Sequence, residues 1–302
     1  MANAVELVDV TKTFGTQTAV DALTLSVPEG SIYGFIGPNG SGKTTTLRMI
    51  MRIFHPDRGS VRVLGQLESG TANDAVAYLP EERGLYKQMS VRAVLEYYAA
   101  LKGLGAREAR KPIADWLERL GLAAHAHKRV ATLSKGMSQK VQFIATVVAR
   151  PRLVILDEPF SGLDPVNAVV LREAILELRK DATVIFSTHD MSAAEQMCDA
   201  IFMIHRGKKV LDGSIESIQD TYGATDTLKV RLEGHADLEG LPGVATVTDF
   251  GKAQELHLAP DGDAQSVLAA LMARGTVRHF ELARPSLQEI FVRIARPGEE
   301  HA

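Results

Sequence analysis

The chain has 302 residues, of which 45% are hydrophobic and 24% charged, with a formal net charge of -3 at neutral pH. That balance describes a globular chain of one large or two ordinary domains, with enough length for a core and no general positive field for nucleic acid. The single cysteine, Cys198, excludes an intrachain disulfide and suits a reducing cytosol, and the longest nearly apolar run, Val141 to Ala149, falls far short of the roughly 20 residues a membrane helix needs.

In chain order, the first segment, Met1 to Val10, carries Glu6 and Asp9 and lacks the apolar core of a secretory signal. Strands are expected at Val5–Val10, Leu23–Val27, Ser31–Ile36, Val61–Leu64, Val76–Leu79, Leu153–Leu156, Thr183–Ser187 and Ile201–Ile204. Between them, helical periodicity covers Thr44–Ile53, Val91–Leu101, Ala106–Leu120, Lys135–Ala149, Pro165–Lys180 and Met191–Asp199. Alternation of this kind predicts an α/β fold with a largely parallel sheet. The runs Val154-Ile155-Leu156 and Val184-Ile185-Phe186 are apolar on both faces, as strands covered by helices on each side must be.

Near residue 220 the pattern changes to strands at Leu228–Glu233, Ala245–Phe250 and Glu255–Leu258, a helix at Ala264–Arg274, a strand at Val277–Leu282 and a helix at Leu287–Ala295. The expected organisation is a first domain over 1–220 and a small α+β domain, ferredoxin-like, over 221–302.

The strand ending at Ile36 runs into Gly37-Pro38-Asn39-Gly40-Ser41-Gly42-Lys43-Thr44, followed by Thr45 at the start of a helix. Glycines in this spacing let backbone N–H groups converge on phosphate oxygens, and the helix points its positive end at them. Lys43 then reaches the β- and γ-phosphates and the Thr44 hydroxyl binds Mg²⁺. The strand Leu153–Leu156 delivers Asp157 and Glu158 at its carboxyl end, where ligands sit in open α/β sheets. Asp157 suits a magnesium ion with its water shell, and Glu158 suits orienting or deprotonating an attacking water.

Four further segments stand in a particular order: Tyr78-Leu79-Pro80-Glu81, then Leu133 to Lys140, then Ser161-Gly162-Leu163-Asp164, then Ser187-Thr188-His189. With the phosphate loop and the carboxylate pair, residues 1 to about 220 resemble the nucleotide-binding subunit of an ATP-binding cassette (ABC) transporter. The resemblance implies a P-loop cassette with a helical subdomain that hydrolyses ATP with Mg²⁺ held by Thr44, Glu81 and Asp157. It implies that Phe14 stacks on adenine, where the family usually has Tyr. It places Ser134 and Gly136 in the signature loop that contacts the γ-phosphate of ATP on the opposite subunit. His189 becomes the switch residue at the γ-phosphate, and Asp164 communicates across the dimer.

Two departures stand out. Lys135 and Met137 replace the commonest Gly and Gln of the signature, and Glu81 stands where most members place Gln. The run Tyr78 to Tyr86 and the C-terminal Pro285-Ser286-Leu287-Gln288-Glu289-Ile290-Phe291 are similar to exporter ATPases that pair with type-2 ABC permeases. The implied partners are a second cassette, identical or not, and an integral membrane permease docked on Leu85–Leu101. Nucleic acid is not expected as a partner, and the implied location is cytoplasmic, on the inner face of the cell membrane. Tyr86, Tyr97 and Tyr98 fit either that docking face or the core.

Taken singly, each feature has a plainer reading: a His ending a strand as a structural residue, Ser-x-Gly as a helix cap, Phe14 as core. Their joint order overturns those readings. A soluble cassette ATPase on nucleic acid or ribosomes is the alternative, disfavoured by one cassette per chain, no heptad array and one cysteine. A nucleotide-binding regulator with little turnover, suggested by Glu81, is disfavoured by intact Lys43, Asp157, Glu158 and His189. His125 and His127 lack further ligand-type neighbours, and no transition-metal site is expected.

Overall fold

The computed structural model describes residues 2–67, 75–82, 84–222, 227–233, 238, 240–249, 251 and 254–295. Arg83 and Phe250, which end or interrupt two of the expected segments, lie outside the described residues. The chain divides into two units, Met1–Ile215 and Glu216–Ala302.

The first unit contains two sheets. Strands β1 (Asn3–Phe14), β2 (Gln17–Pro28) and β4 (Arg58–Val63) form an antiparallel sheet in the order β2-β1-β4. The sequence pattern had grouped their cores with the parallel strands. Chain length explains the difference: β1 and β2 are joined by only Gly15 and Thr16, and so short a link permits only a hairpin.

The six-stranded sheet has the order β5-β6-β7-β3-β8-β9. Its parallel members are β3 (Ile32–Ile36), β5 (Val76–Leu79), β6 (Leu153–Asp157), β7 (Thr183–Thr188) and β8 (Ala200–His205). The last strand, β9 (Lys208–Ser214), turns back antiparallel to β8 and was not foreseen.

Strand periodicity divides the core. Val154, Leu156, Val184 and Phe186 pack with the helices α2 (Val91–Leu101), α3 (Ala106–Arg119), α4 (Lys135–Val147) and α5 (Pro165–Leu178). Their neighbours Leu153, Ile155 and Ile185 point the other way, into a second cluster with Val5, Leu25, Val61 and residues of α1 (Lys43–Ile50). Residues i and i+1 of a strand face opposite sides, so burial on both faces leaves no polar alternation in the sequence. Helix α6 (Met191–Met197) follows β7 and is capped by Asp190, which accepts from Ala193 N.

The second unit contains α7 (Ile215–Tyr222) from its second residue, then β10 (Thr227–Leu232), β11 (Val244–Asp249), β12 (Gln254–Leu258), α8 (Ala264–Arg274), β13 (Val277–Ala283) and α9 (Leu287–Ala295). The antiparallel sheet runs β11-β12-β10-β13, the ferredoxin-like strand order. One face carries Leu228, Val230 and Leu256 against Val267 and Leu271 of α8.

Candidate functional site

The phosphate loop leaves β3 at Ile36 and enters α1 at Lys43. Gly42 caps α1 in the left-handed region (φ 113), and a Cβ there would lie 2.5 Å from the Ala19 carbonyl oxygen. Any other residue would strain the turn and push the loop off β2. No side chain caps α1, so its first N–H groups remain available for an anion. The Ser41 hydroxyl is buried and finds no hydrogen-bond partner among the described residues.

Around this loop the structure places a cavity of about 400 Å³ lined by Phe14, Asn39, Gly40, Gly42, Lys43, Thr44, Thr45, Glu81 and Glu158. Lys43 is buried; its ammonium donates to Gly37 O at 2.7 Å and Pro38 O at 3.2 Å, and lies 3.9 Å from Glu158 Oε1. Burial pushes its pKa below the usual lysine value, against the pull of the Glu158, Asp157 and Glu81 charges.

Asp157 ends β6 with only 2% of its surface exposed. Both carboxylate oxygens are engaged: the Ser187 hydroxyl donates to Oδ1, Thr44 Oγ1 lies 3.4 Å from it, and the Tyr78 hydroxyl donates to Oδ2 at 3.1 Å. Burial, with the Asp157 charge and this hydrogen bond, pushes the Tyr78 phenol up to about 12.

Glu158 has a positive φ of 48, a conformation that costs a non-glycine residue free energy and concentrates at functional sites. Its N–H donates to Ser187 O at 3.2 Å and Ser187 Oγ at 3.1 Å, so the loop end of β7 fixes both acids. His189, just past β7, brings Nδ1 within hydrogen-bond distance of the Glu158 carboxylate.

Phe14 stands at the cavity edge with 45% of its surface exposed, so it is not a core residue. Phe54 braces it edge-on at 5.3 Å between ring centroids, and the Lys12 ammonium lies 5.6 Å from its centroid. An open aromatic face with a buttress is what base stacking requires.

Ser134, Gly136 and Asp164 do not line this cavity. Ser134 caps α4, its hydroxyl accepting from Met137 N at 3.2 Å. A Cβ on Gly136 would lie 2.9 Å from Asn167 Nδ2, so a larger residue there would make the Asn167 amide shift. Asp164 caps α5, accepting from Asn167 N at 3.0 Å and from its side-chain amide at 2.5 Å, and the first of these bonds, then the second, lowers its pKa.

Three buried side chains of α4 to which the sequence assigned no role anchor this helix, two of them beside the site. Gln139 donates to Pro159 O just past Glu158, Gln142 donates to Glu82 O at 3.3 Å just past Glu81, and Lys140 donates to Leu120 O at 2.8 Å. All three are buried polar groups in an apolar helix pattern, and that misfit was the signal that could have found them.

A model described as ABC transporter matches residues 20–161, and one described as ATP-binding protein DrrA1-3-like, C-terminal domain, matches 213–295. YhaQ of Bacillus subtilis (strain 168), described as an uncharacterized ABC transporter ATP-binding protein, is 40% identical over 289 residues, covering 94% of this chain and 95% of YhaQ. This chain belongs to the ABC transporter ATP-binding proteins.

It is therefore the ATP-binding subunit of such a transporter and an ATPase. LnrL of the same strain, a linearmycin resistance ATP-binding protein, is 29% identical over 95% of this chain and 96% of LnrL. The Nod factor export ATP-binding protein I of Rhizobium sp. (strain N33) is 30% identical over 96% of each chain. A solved structure titled as the ATP binding subunit of an ABC transporter superposes with a TM-score of 0.68 at 31% identity, over 72% of this chain and 93% of that one. Among the described residues no helix is long and apolar enough to cross a membrane.

Proposed function

We propose that this subunit drives export through a separate type-2 ABC permease, by closing on a partner cassette around ATP and opening after hydrolysis. One observation carries the reading: Lys43, Thr44, Glu81 and Glu158 surround one cavity with Asp157 and His189 in contact, while Ser134 and Gly136 lie off it. A half-site that faces the γ-phosphate from one side only needs a second surface, and the signature loop of a partner supplies it. Closure then depends on a single phosphoryl group.

Phe14 holds the adenine ring, with Asn39, Gly40, Lys43, Thr44 and Thr45 of the loop on the phosphates. Glu158 orients and deprotonates the attacking water, and His189 steadies both the water and Glu158. The oxygen donors Thr44 and Asp157, 3.4 Å apart, are hard ligands of the kind Mg²⁺ takes, with Glu81 on the same cavity as a further candidate. Magnesium bound there supplies charge neutralisation at the β- and γ-phosphates. Glu81 adds a negative charge that a Gln would not.

The permease docks beside α2. Tyr86 and Tyr97 are 51% and 39% exposed and stack edge-on at 5.3 Å, and Tyr98 meets Tyr97 at 5.6 Å. Exposed, mutually braced aromatics suit a protein interface. The name of the Nod factor export protein supports export, and the match to a DrrA-like C-terminal domain supports the type-2 class. Residues 1–220 form the motor and 221–302 an accessory domain, peripheral on the cytoplasmic face of the membrane.

Reconstitution with a permease that co-purifies with it from membranes tests the reading. Transport and ATP turnover both dependent on Glu158 are expected; transport that survives Glu158→Gln at full rate contradicts it.

A further inference from the structure

The Asp157 carboxylate is a freely turning group unless donors hold it, because its terminal torsion has broad, shallow wells. The Ser187 hydroxyl donates to Oδ1 and the Tyr78 hydroxyl to Oδ2. Strand pairing brings them there: β5 lies parallel to β6 with Tyr78 opposite Ile155, two residues before Asp157. Across β6, on β7, Ser187 pairs with Asp157 itself.

Arg48 of α1, the helix that carries Lys43 and Thr44, acts on the same phenol, working against the rise in its pKa that burial and Asp157 cause. With one oxygen fixed from β5 and the other from β7, the remaining lone pairs of Asp157 keep one heading, and Thr44 lies beside Oδ1.

We infer that Tyr78 is a positioning residue for the metal site: its hydroxyl, opposite Ser187, fixes the Asp157 carboxylate. The inference rests on the reading of Asp157 as a ligand of the nucleotide's divalent ion. Partners of this second kind around a metal are worth about 10- to 100-fold in metal affinity or activity.

The test is Mn²⁺ binding, read by the paramagnetic signal of free Mn²⁺, to the full chain with a non-hydrolysable ATP analogue. Wild type is compared with Tyr78→Phe and Asp157→Asn, and metal-free affinity for the analogue is measured alongside. Tyr78→Phe keeps the ring and removes the donor. Its Mn²⁺ affinity is expected to fall about tenfold, with metal-free nucleotide affinity unchanged and a thermal midpoint near wild type. If Asp157→Asn weakens Mn²⁺ and Tyr78→Phe does not, the positioning role is overturned while the metal-site reading stands. If Asp157→Asn leaves Mn²⁺ affinity untouched, the metal-site reading itself fails, and the inference with it. Equal losses of metal-free and metal-dependent affinity in Tyr78→Phe overturn the inference in favour of a merely structural role.

Discussion

Nδ1 of His189 lies 3.0 Å from Oε1 and 3.1 Å from Oε2 of Glu158, the acid whose backbone is turned into the left-handed region at the end of β6. With Lys43 on one side and an imidazole on the other, this carboxylate is held in the orientation that the proposed role of base requires. Glu158→Gln keeps the shape and removes the basicity. Hydrolysis is expected to fall about 100-fold or more with Mg-ATP affinity within a few-fold of wild type, measured by phosphate release and equilibrium titration. Turnover at the wild-type rate removes Glu158 from the catalytic role.

Under the proposed function Lys43 contributes to binding rather than to proton transfer. Its ammonium already sits among the loop carbonyls of Gly37 and Pro38, where charge-assisted bonds to phosphate oxygens can form without a search. Such bonds contribute about 1.5–3 kcal/mol, so Lys43→Ala is expected to weaken ATP binding roughly 10- to 100-fold. An unchanged titration curve contradicts the phosphate-loop assignment.

Tyr97 offers a probe of the proposed docking face. Removal of an exposed interface aromatic costs about 2 kcal/mol or more where it anchors a partner. Tyr97→Ala is expected to reduce co-purification of the permease from detergent-solubilised membranes while leaving ATP binding to the isolated chain intact. Full recovery of the permease with Tyr97→Ala and Tyr86→Ala together places the docking face elsewhere.

In the second unit, Ser286 and Glu289 cap α9 reciprocally: Ser286 N donates to Glu289 Oε2 at 2.6 Å, and Glu289 N donates to Ser286 Oγ at 3.2 Å. Burial pushes the Glu289 pKa up, but the bonds from Ser286 and the Lys229 and Arg293 charges leave it below the usual value. A carboxyl lowered on folding stabilises above its unfolded pKa, and that contribution is lost as pH falls through the folded value. Hydrogen exchange of the α9 amides is expected to speed up as pH falls below about 4, beyond the intrinsic pH effect. In Glu289→Gln this acid step is expected to vanish, and an identical pH profile in the variant refutes the cap account. Ser286→Ala is expected to cost about 1 kcal/mol.

Much of this architecture was legible because local signals agreed with tertiary demands. Val91–Leu101, Ala264–Arg274 and Leu287–Ala295 form helices over the expected residues, and Val76–Leu79 forms the expected strand. Strand β9 escaped notice because an edge strand reading Lys208-Lys209-Val210-Leu211-Asp212-Gly213-Ser214 has little apolar alternation. Its pairing comes from the turn at Arg206 and Gly207, both at positive φ. The allocation of β1, β2 and β4 to their own sheet follows from connection lengths, not from strand composition. The contacts of Tyr78 with Asp157 and of Gln139 with Pro159 depend on register and helix placement, which no residue spacing encodes.

The composite ATP site is tested most directly by sedimentation of the Glu158→Gln variant with and without Mg-ATP. Monomer without nucleotide, dimer with it, and loss of that dimer on adding Ser134→Arg are the results expected. A chain that binds Mg-ATP yet stays monomeric, or that pairs equally well with Ser134→Arg, contradicts completion of the site by a second copy.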